Sequence, residues 1–223
     1  MTNETQEATA VDSALCGLYP DFLAALLVGD RRCCEALTDQ ALAACVPILA
    51  LYQRLFQRAL YQVGEEWACN RISVGTEHLA TAIVEGLLNR LYPQVITPNR
   101  IGRRIVVASV EGELHQVGAK MVCDVFEMYG WEALYLGADS PTTDLLRTVR
   151  DLRPYAVGLS LSVYGHLGAL EAAIGLIRSN FPELPVLIGG QGLRQVGPAL
   201  SSDYKVHYVA DLDALERLVI GLT

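Results

Sequence analysis

The chemistry of this chain concentrates in Glu113-Leu114-His115-Gln116-Val117-Gly118, directly after the apolar run Ile105–Val110. An imidazole with a carboxylate two residues before it is suited to bind a metal. The carboxylate accepts a hydrogen bond from one ring nitrogen, which fixes the tautomer and makes the other nitrogen the better ligand. Gly118 lets a bulky flat ligand lie close to the backbone. A single His would not hold a free ion, because a protein zinc site takes roughly three or four ligands. It suits a metal whose other positions a macrocycle already fills.

Three further segments stand out, each after an apolar run: Leu136-Gly137-Ala138-Asp139-Ser140-Pro141, Ser160-Leu161-Ser162-Val163-Tyr164 and Gly189-Gly190-Gln191-Gly192. Paired glycines straight after a strand leave a slot where a Cβ would intrude. Small serines widen that slot and offer hydroxyl donors. Earlier in the chain, Trp67 is followed after nine residues by Glu77-His78. An indole packs against a flat apolar group, while a carboxylate and an imidazole hydrogen-bond a ribose or adenine. Each feature alone has an ordinary reading: a solvated loop His, loop serines, a tight Gly-Gly turn, a core Trp with a helix-starting Glu. Their order along the chain makes the set specific.

The elements that must position these residues fall into two halves. Residues 11–92 are rich in Leu and Ala at helical spacing. Phe22, Leu23, Leu26 and Leu27 share one face of a first helix, and Arg31 to Ala44 read as a second. Pro47 fits the first turn of a third, which runs toward Trp67. Ser73 is a candidate N-cap for a fourth, carrying Leu79, Ile83, Leu87 and Leu91 inward. Four such helices make a bundle. Residues 93–102 read as a linker, in a stretch with two prolines that begins at Tyr92. Residues 103–223 alternate strands (Ile105–Val110, Ala133–Leu136, Ala156–Leu161, Val186–Ile188, His207–Val209) with helices (Val117–Tyr129, Thr143–Leu152, Leu167–Phe181, Gly192–Leu200, Leu212–Leu222). Five βα units with near-continuous apolar strands indicate a parallel sheet covered on both faces, an α/β fold. Ligands of such sheets sit beyond the carboxyl ends of the strands. The His115 loop leaves the carboxyl end of the first.

The 223 residues are 52% hydrophobic and 19% charged, with a net charge of −8. Disorder is not expected beyond the ends, and direct nucleic-acid binding is disfavoured. No apolar run is read as long enough to span a membrane. The polar, acidic start is unlike a signal peptide, so a cytoplasmic location is expected. Cys16, Cys33, Cys34, Cys45 and Cys123 lie in or beside helix-like stretches and read as small buried apolar residues, reduced like Cys69.

Glu113-x-His115-x-x-Gly118 resembles the Asp-x-His-x-x-Gly signature of cobalamin-binding domains, with Glu in place of Asp. Ser160 and the Gly189-Gly190 pair are similar to the family's second and third motifs; Ser162 stands where Leu is usual. The resemblance implies that His115 becomes the lower cobalt ligand, oriented by Glu113. It implies that the nucleotide tail runs past Ser160, Leu161, Ser162, Gly189, Gly190 and Gly192, with Gln116, Val117, Gly118 and Gly137 completing the site. Trp67-x9-Glu77-His78 resembles the signature of cobalamin-dependent photoreceptors, in which a four-helix-bundle cap covers the cofactor's upper face ahead of a Rossmann-like (flavodoxin-like) domain. A receiver domain of the same fold would need an Asp after the third strand, where Ser160 stands.

From this resemblance the expected function is a light sensor, not an enzyme. It would bind cobalamin, with adenosylcobalamin favoured and Trp67, Glu77 and His78 around its upper group. Light would release that group and change bundle packing. The position after Trp67, often His in light-sensing members, is Ala68, which puts their two-histidine photoproduct in question unless His78 supplies the ring. It would also leave the upper face open to a second chromophore, a bilin such as biliverdin, as in the related photocobilins. The chain is expected to lack the DNA-binding module of other members. Self-association and a protein partner, a regulator or kinase in trans, are implied as outputs. The alternative is a corrinoid methyl carrier serving separate methyltransferases. A module that has lost the cofactor is a third reading, disfavoured by His115.

Overall fold

A computed structural model of the protein describes residues 2–222, with side chains from residue 11 onward. The chain divides into two compact units, the first ending at Pro93 and the second beginning at Gln94.

The first unit is helical. It comprises α1 (Thr2–Val28), α2 (Arg31–Ala43), α3 (Ile48–Leu51), a π-helical stretch (Tyr52–Gln57), α4 (Arg58–Ala68) and α5 (Val74–Val95). From 48 to 68 the helix is unbroken, so the unit has four rods. The capping residues act where the sequence places them. Asp30 accepts from the Cys33 N–H at 3.0 Å, and the Ser73 hydroxyl accepts from the Thr76 N–H at 3.1 Å. Each answers a donor that a helix start leaves without an intrahelical partner. Phe22, Leu26, Leu51, Leu55, Phe56, Val63, Ile83, Leu87 and Leu91 are buried. Phe56 stacks between Phe22 at 5.5 Å and Tyr52 at 6.0 Å between ring centroids.

Four expectations for this unit need correcting. Leu79 does not point inward but is 45% exposed, one turn too near the start of α5; it covers the left-handed turn at Gly29 instead. Of the cysteines, only Cys34 and Cys123 are buried, whereas Cys16, Cys45 and Cys69 are exposed and Cys33 is intermediate. Cys45 sits at φ 58 in the turn after α2, outside the helical face. The stretch Val11–Val28 is, by length and composition, apolar enough to cross a membrane, with a mean hydropathy of 1.5; here it is part of α1 and buries Leu15, Phe22, Ala25 and Leu26. Finally, α5 continues through Pro93 to Val95, with Pro93 lacking the N–H that would bond back to the preceding turn.

The second unit is a parallel α/β sheet. Its strands are β1 (Arg104–Ser109), β2 (Glu132–Tyr135), β3 (Ala156–Ser160), β4 (Val186–Gly189) and β5 (His207–Val209). The order is β2-β1-β3-β4-β5, every pair parallel. The connecting helices are α6 (Val117–Met128), α7 (Thr142–Leu152), α8 (Leu167–Asn180) and α9 (Gly197–Tyr204), and α10 (Leu212–Leu222) follows β5. Val106, Ala108, Val157, Leu159, Val186 and Ile188 form a core with Leu170, Ile174 and Ile177 of α8. Burial on both faces of the sheet explains why β1 and β3 read as unbroken apolar runs. The helix expected over Gly192–Leu200 is split into a 3-10 turn (Gln191–Leu193) and α9. Pro198 in the first turn of α9 suits a helix start and not a helix interior.

Candidate functional site

The strand order reverses between β1 and β3, the switch point at which open parallel sheets hold ligands. Ser109 pairs with Ser160 at the ends of these strands, and the loops that follow carry Glu113, His115 and Ser162.

Glu113 is fully buried. One carboxylate oxygen accepts from the His115 backbone N–H at 3.0 Å and lies 2.5 Å from His115 Nδ1. The other accepts from the backbone N–H groups of Ser162 at 2.7 Å and Val163 at 2.8 Å. Burial alone would raise this carboxyl, but the hydrogen bonds from the His115 ring and the three N–H groups outweigh it and hold it at about 2. An ionised carboxylate only accepts, so Nδ1 of His115 carries the proton and Nε2 is the nitrogen with which the ring would meet a metal. The His115 side chain is 50% exposed.

The loop is held by further bonds. The Ser109 hydroxyl donates to the His115 carbonyl at 3.1 Å and lies 3.0 Å from Tyr135 Oη. Asp139, after β2, accepts from the Gly112 N–H at 2.7 Å, and its own N–H donates to the Glu113 carbonyl at 2.8 Å. Sequence spacing does not single out Asp139, because only the strand order brings it to Gly112. His166 is a second residue the sequence did not offer. Its Nδ1 is buried without a hydrogen-bond partner and stands 3.7 Å from the Glu113 carboxylate. No spacing rule links positions 113 and 166; the adjacency of β1 and β3 does.

Gln116 is the half-buried residue before α6, and Val117 is buried at its first turn. A Cβ built on Gly118 meets nothing within 4 Å, and Gly137, at φ +112, likewise faces open space. No protein neighbour requires the absence of a side chain at Gly118. The glycines after β4 behave differently and correct the expected slot. A Cβ on Gly190, at φ +111, would collide with the Leu161 carbonyl, and one on Gly192 would lie 3.0 Å from the Ser162 carbonyl. These glycines bring the β4 loop onto the backbone after β3; the Gly192 N–H donates to the Leu161 carbonyl at 3.2 Å. Gly189 pairs with Ser160, and Leu161 is buried. Ser162 contributes its backbone N–H. Leu114, Val163 and Tyr164 are exposed on the two loops that Glu113 joins.

In the helical unit, Trp67 lies in the last turn of α4 and is 46% exposed. Glu77 lies in the first turn of α5, beyond the Cys69–Ser73 connection, and His78 follows it. Glu77 accepts from the Thr81 hydroxyl at 3.0 Å and stands 3.7 Å from His78 Nε2.

Among the described residues, no group of three or more His, Cys, Asp or Glu side chains could hold a metal ion. A metal at His115 would bring its remaining ligands with it. An exposed ring with a fixed tautomer, apolar neighbours and an open Gly118 fit a planar metallo-macrocycle. Comparison with known proteins agrees. The B12 binding domain family matches residues 103–211, and a second B12 binding domain family matches residues 18–92. Residues 103–211 and residues 18–92 each thus match a B12 binding domain. It is 30% identical over 174 residues to the HTH-type transcriptional repressor CarH of Myxococcus xanthus, which covers 77% of this chain and 57% of the repressor. It is 24% identical over 139 residues to a trimethylamine corrinoid protein of Methanosarcina barkeri, covering 59% of this chain and 62% of that protein. The chain thus spans about three fifths of the length of these relatives. The fold matches that of the Methanosarcina barkeri monomethylamine corrinoid protein with a TM-score of 0.78 at 14% identity, over 93% of this chain and 99% of that one.

Proposed function

We propose that this protein is a cytoplasmic light sensor that binds cobalamin and has no catalytic output of its own. The observation that carries the cofactor assignment is the buried Glu113, which orients the His115 imidazole from Nδ1. His115 would hold the cofactor's cobalt through Nε2. Ser160, Ser162 and Gly189 would frame the nucleotide tail, with Gly190 and Gly192 holding the β4 loop against the backbone of Leu161 and Ser162, and Gln116, Val117, Gly118 and Gly137 beside the ring. Bound there, adenosylcobalamin would supply a light-labile cobalt–carbon bond. Glu113 fixes the ring from Nδ1, and the Ser109 hydroxyl holds the His115 carbonyl.

The sensor reading is supported by the likeness to the CarH repressor, at 30% over 77% of this chain, and by Trp67-x9-Glu77-His78, proposed here as contacts to the upper ligand. Indole, carboxylate and imidazole suit an adenosyl group better than a methyl group. Output is through self-association or a protein partner. The carrier reading is favoured by the likeness to a trimethylamine corrinoid protein and by a fold match over 99% of a monomethylamine corrinoid protein.

The test loads the full chain with adenosylcobalamin in the dark, then records absorption and hydrodynamic size before and after green light. A light-driven spectral change coupled to a change in size or partner binding, reduced in Trp67→Ala, supports the sensor. A light-insensitive complex that accepts methyl groups from a methyltransferase replaces it with the carrier. A far-red band after biliverdin is added would mark a second chromophore.

A further inference from the structure

The helical unit holds a cavity of about 520 Å³ that the cobalamin reading leaves unused. One wall is α1, through Asp12, Cys16 and Tyr19; the other is the π-helical stretch and α4, through Arg54, Arg58 and Glu65. Residues at spacings of three and four share a helix face, so two polar stripes face each other over buried Leu15.

The π-helical stretch is the first sign of a site. Such widened turns are uncommon and cluster at functional positions. No proline or glycine lies between Ile48 and Val63 to force it. It directs Gln53, Arg54 and Gln57 to the cavity.

Charge and ring placement give the ligand's chemistry. Arg54 forms an ion pair with Asp12 across the cavity. The Arg58 guanidinium carbon lies over the Tyr19 ring, 3.9 Å from its centroid. A stacked guanidinium keeps its N–H edge available to an oxyanion, and its planar surface extends an aromatic platform. Glu65 opposes a second negative charge, and the Gln side chains both donate and accept hydrogen bonds. The volume is that of an ordinary small-molecule pocket.

We propose that this cavity is a second small-molecule site, one that takes a flat aromatic ligand carrying a single anionic group. The probe is 8-anilinonaphthalene-1-sulfonate, titrated into the full chain by calorimetry with and without saturating hydroxocobalamin. N-phenyl-1-naphthylamine, the same ring system without the sulfonate, is the contrast. The expected result is one site per chain, insensitive to cobalamin and to His115→Ala. Affinity falls about tenfold or more in Arg58→Gln and for the neutral amine, because a charge-assisted bond is lost. Arg58→Lys, which keeps charge but not the stacked fork, also weakens binding, as does Tyr19→Leu. Circular dichroism confirms that these exposed-site variants fold. Equal affinity for wild type, Arg58→Gln and Tyr19→Leu, equal affinity for the neutral amine, or no saturable binding overturns the proposal. Loss in His115→Ala alone does so too, by placing the probe at the other site.

Discussion

Glu113 and His115 are joined twice, from the ring at 2.5 Å and from the backbone N–H at 3.0 Å to the same carboxylate oxygen. The second oxygen of Glu113 holds the loop after β3 through Ser162 and Val163. One buried side chain therefore sets both the tautomer of the candidate ligand and the closure of the loops at the switch point.

Replacing Glu113 with Ala leaves the backbone N–H groups of His115, Ser162 and Val163 without their acceptor. Stability should fall by about 3 kcal/mol or more, since each unsatisfied buried donor costs about 1–3 kcal/mol. Glu113→Gln keeps one acceptor and should lose less. Urea unfolding of the cobalamin-free protein measures both; a loss under about 1 kcal/mol for Glu113→Ala would contradict the bonding described.

The same carboxylate makes a signed pH prediction. Its carboxyl is held at about 2, below the ordinary value of 4.5. A depressed carboxyl stabilises the fold fully above the ordinary value and loses that contribution as pH falls from about 4.5 through about 2. Between these limits the wild-type protein should lose stability more steeply than Glu113→Gln. Parallel acid-unfolding curves would be inconsistent with this.

Two glycines should respond oppositely. Gly190, at φ +111 and against the Leu161 carbonyl, cannot take a side chain, so Gly190→Ala should cost about 3 kcal/mol or more. Gly118 lies in α6 with open space around its Cβ position, so Gly118→Ala should leave stability unchanged or raise it by up to about 1 kcal/mol. Yet Gly118→Ala should weaken cobalamin binding, because the added methyl occupies space proposed for the ring. Thermal melts with and without cofactor read both effects.

Thiol labelling checks the two core cysteines. Burial pushes the Cys34 thiol up to about 12, and burial likewise raises Cys123. At mildly alkaline pH, iodoacetamide should modify exposed Cys16, Cys45 and Cys69 first, and Cys34 and Cys123 only after unfolding. Mass spectrometry of a time course would show any early modification of Cys123.

The fold was legible because its signals are local. Apolar runs gave the strands, and Asp30, Ser73 and Pro47 marked helix starts by known capping chemistry. Pairing of Glu113 with His115 was legible because only two residues separate them. The other neighbours of Glu113 are not: Ser162 and Val163, which bond it, and His166, which stands beside it, lie about fifty residues away, and only the neighbouring positions of β1 and β3 bring them close. Leu79 and Cys16 are exposed although their spacing is helical, because spacing gives a face but not where that face stops being covered. The paired glycines were read as space for a ligand, yet at Gly190 and Gly192 that space is filled by the chain's own backbone.

The central claim is a bond from His115 to cobalt, and electron paramagnetic resonance of the cobalt(II) form of bound cobalamin tests it most directly. Nitrogen in the lower position splits the cobalt lines, as triplets for ¹⁴N and doublets for ¹⁵N. Protein labelled with ¹⁵N-histidine should show doublets, and His115→Ala should abolish them. Triplets that persist in the labelled protein, from the cofactor's own base, would contradict the account.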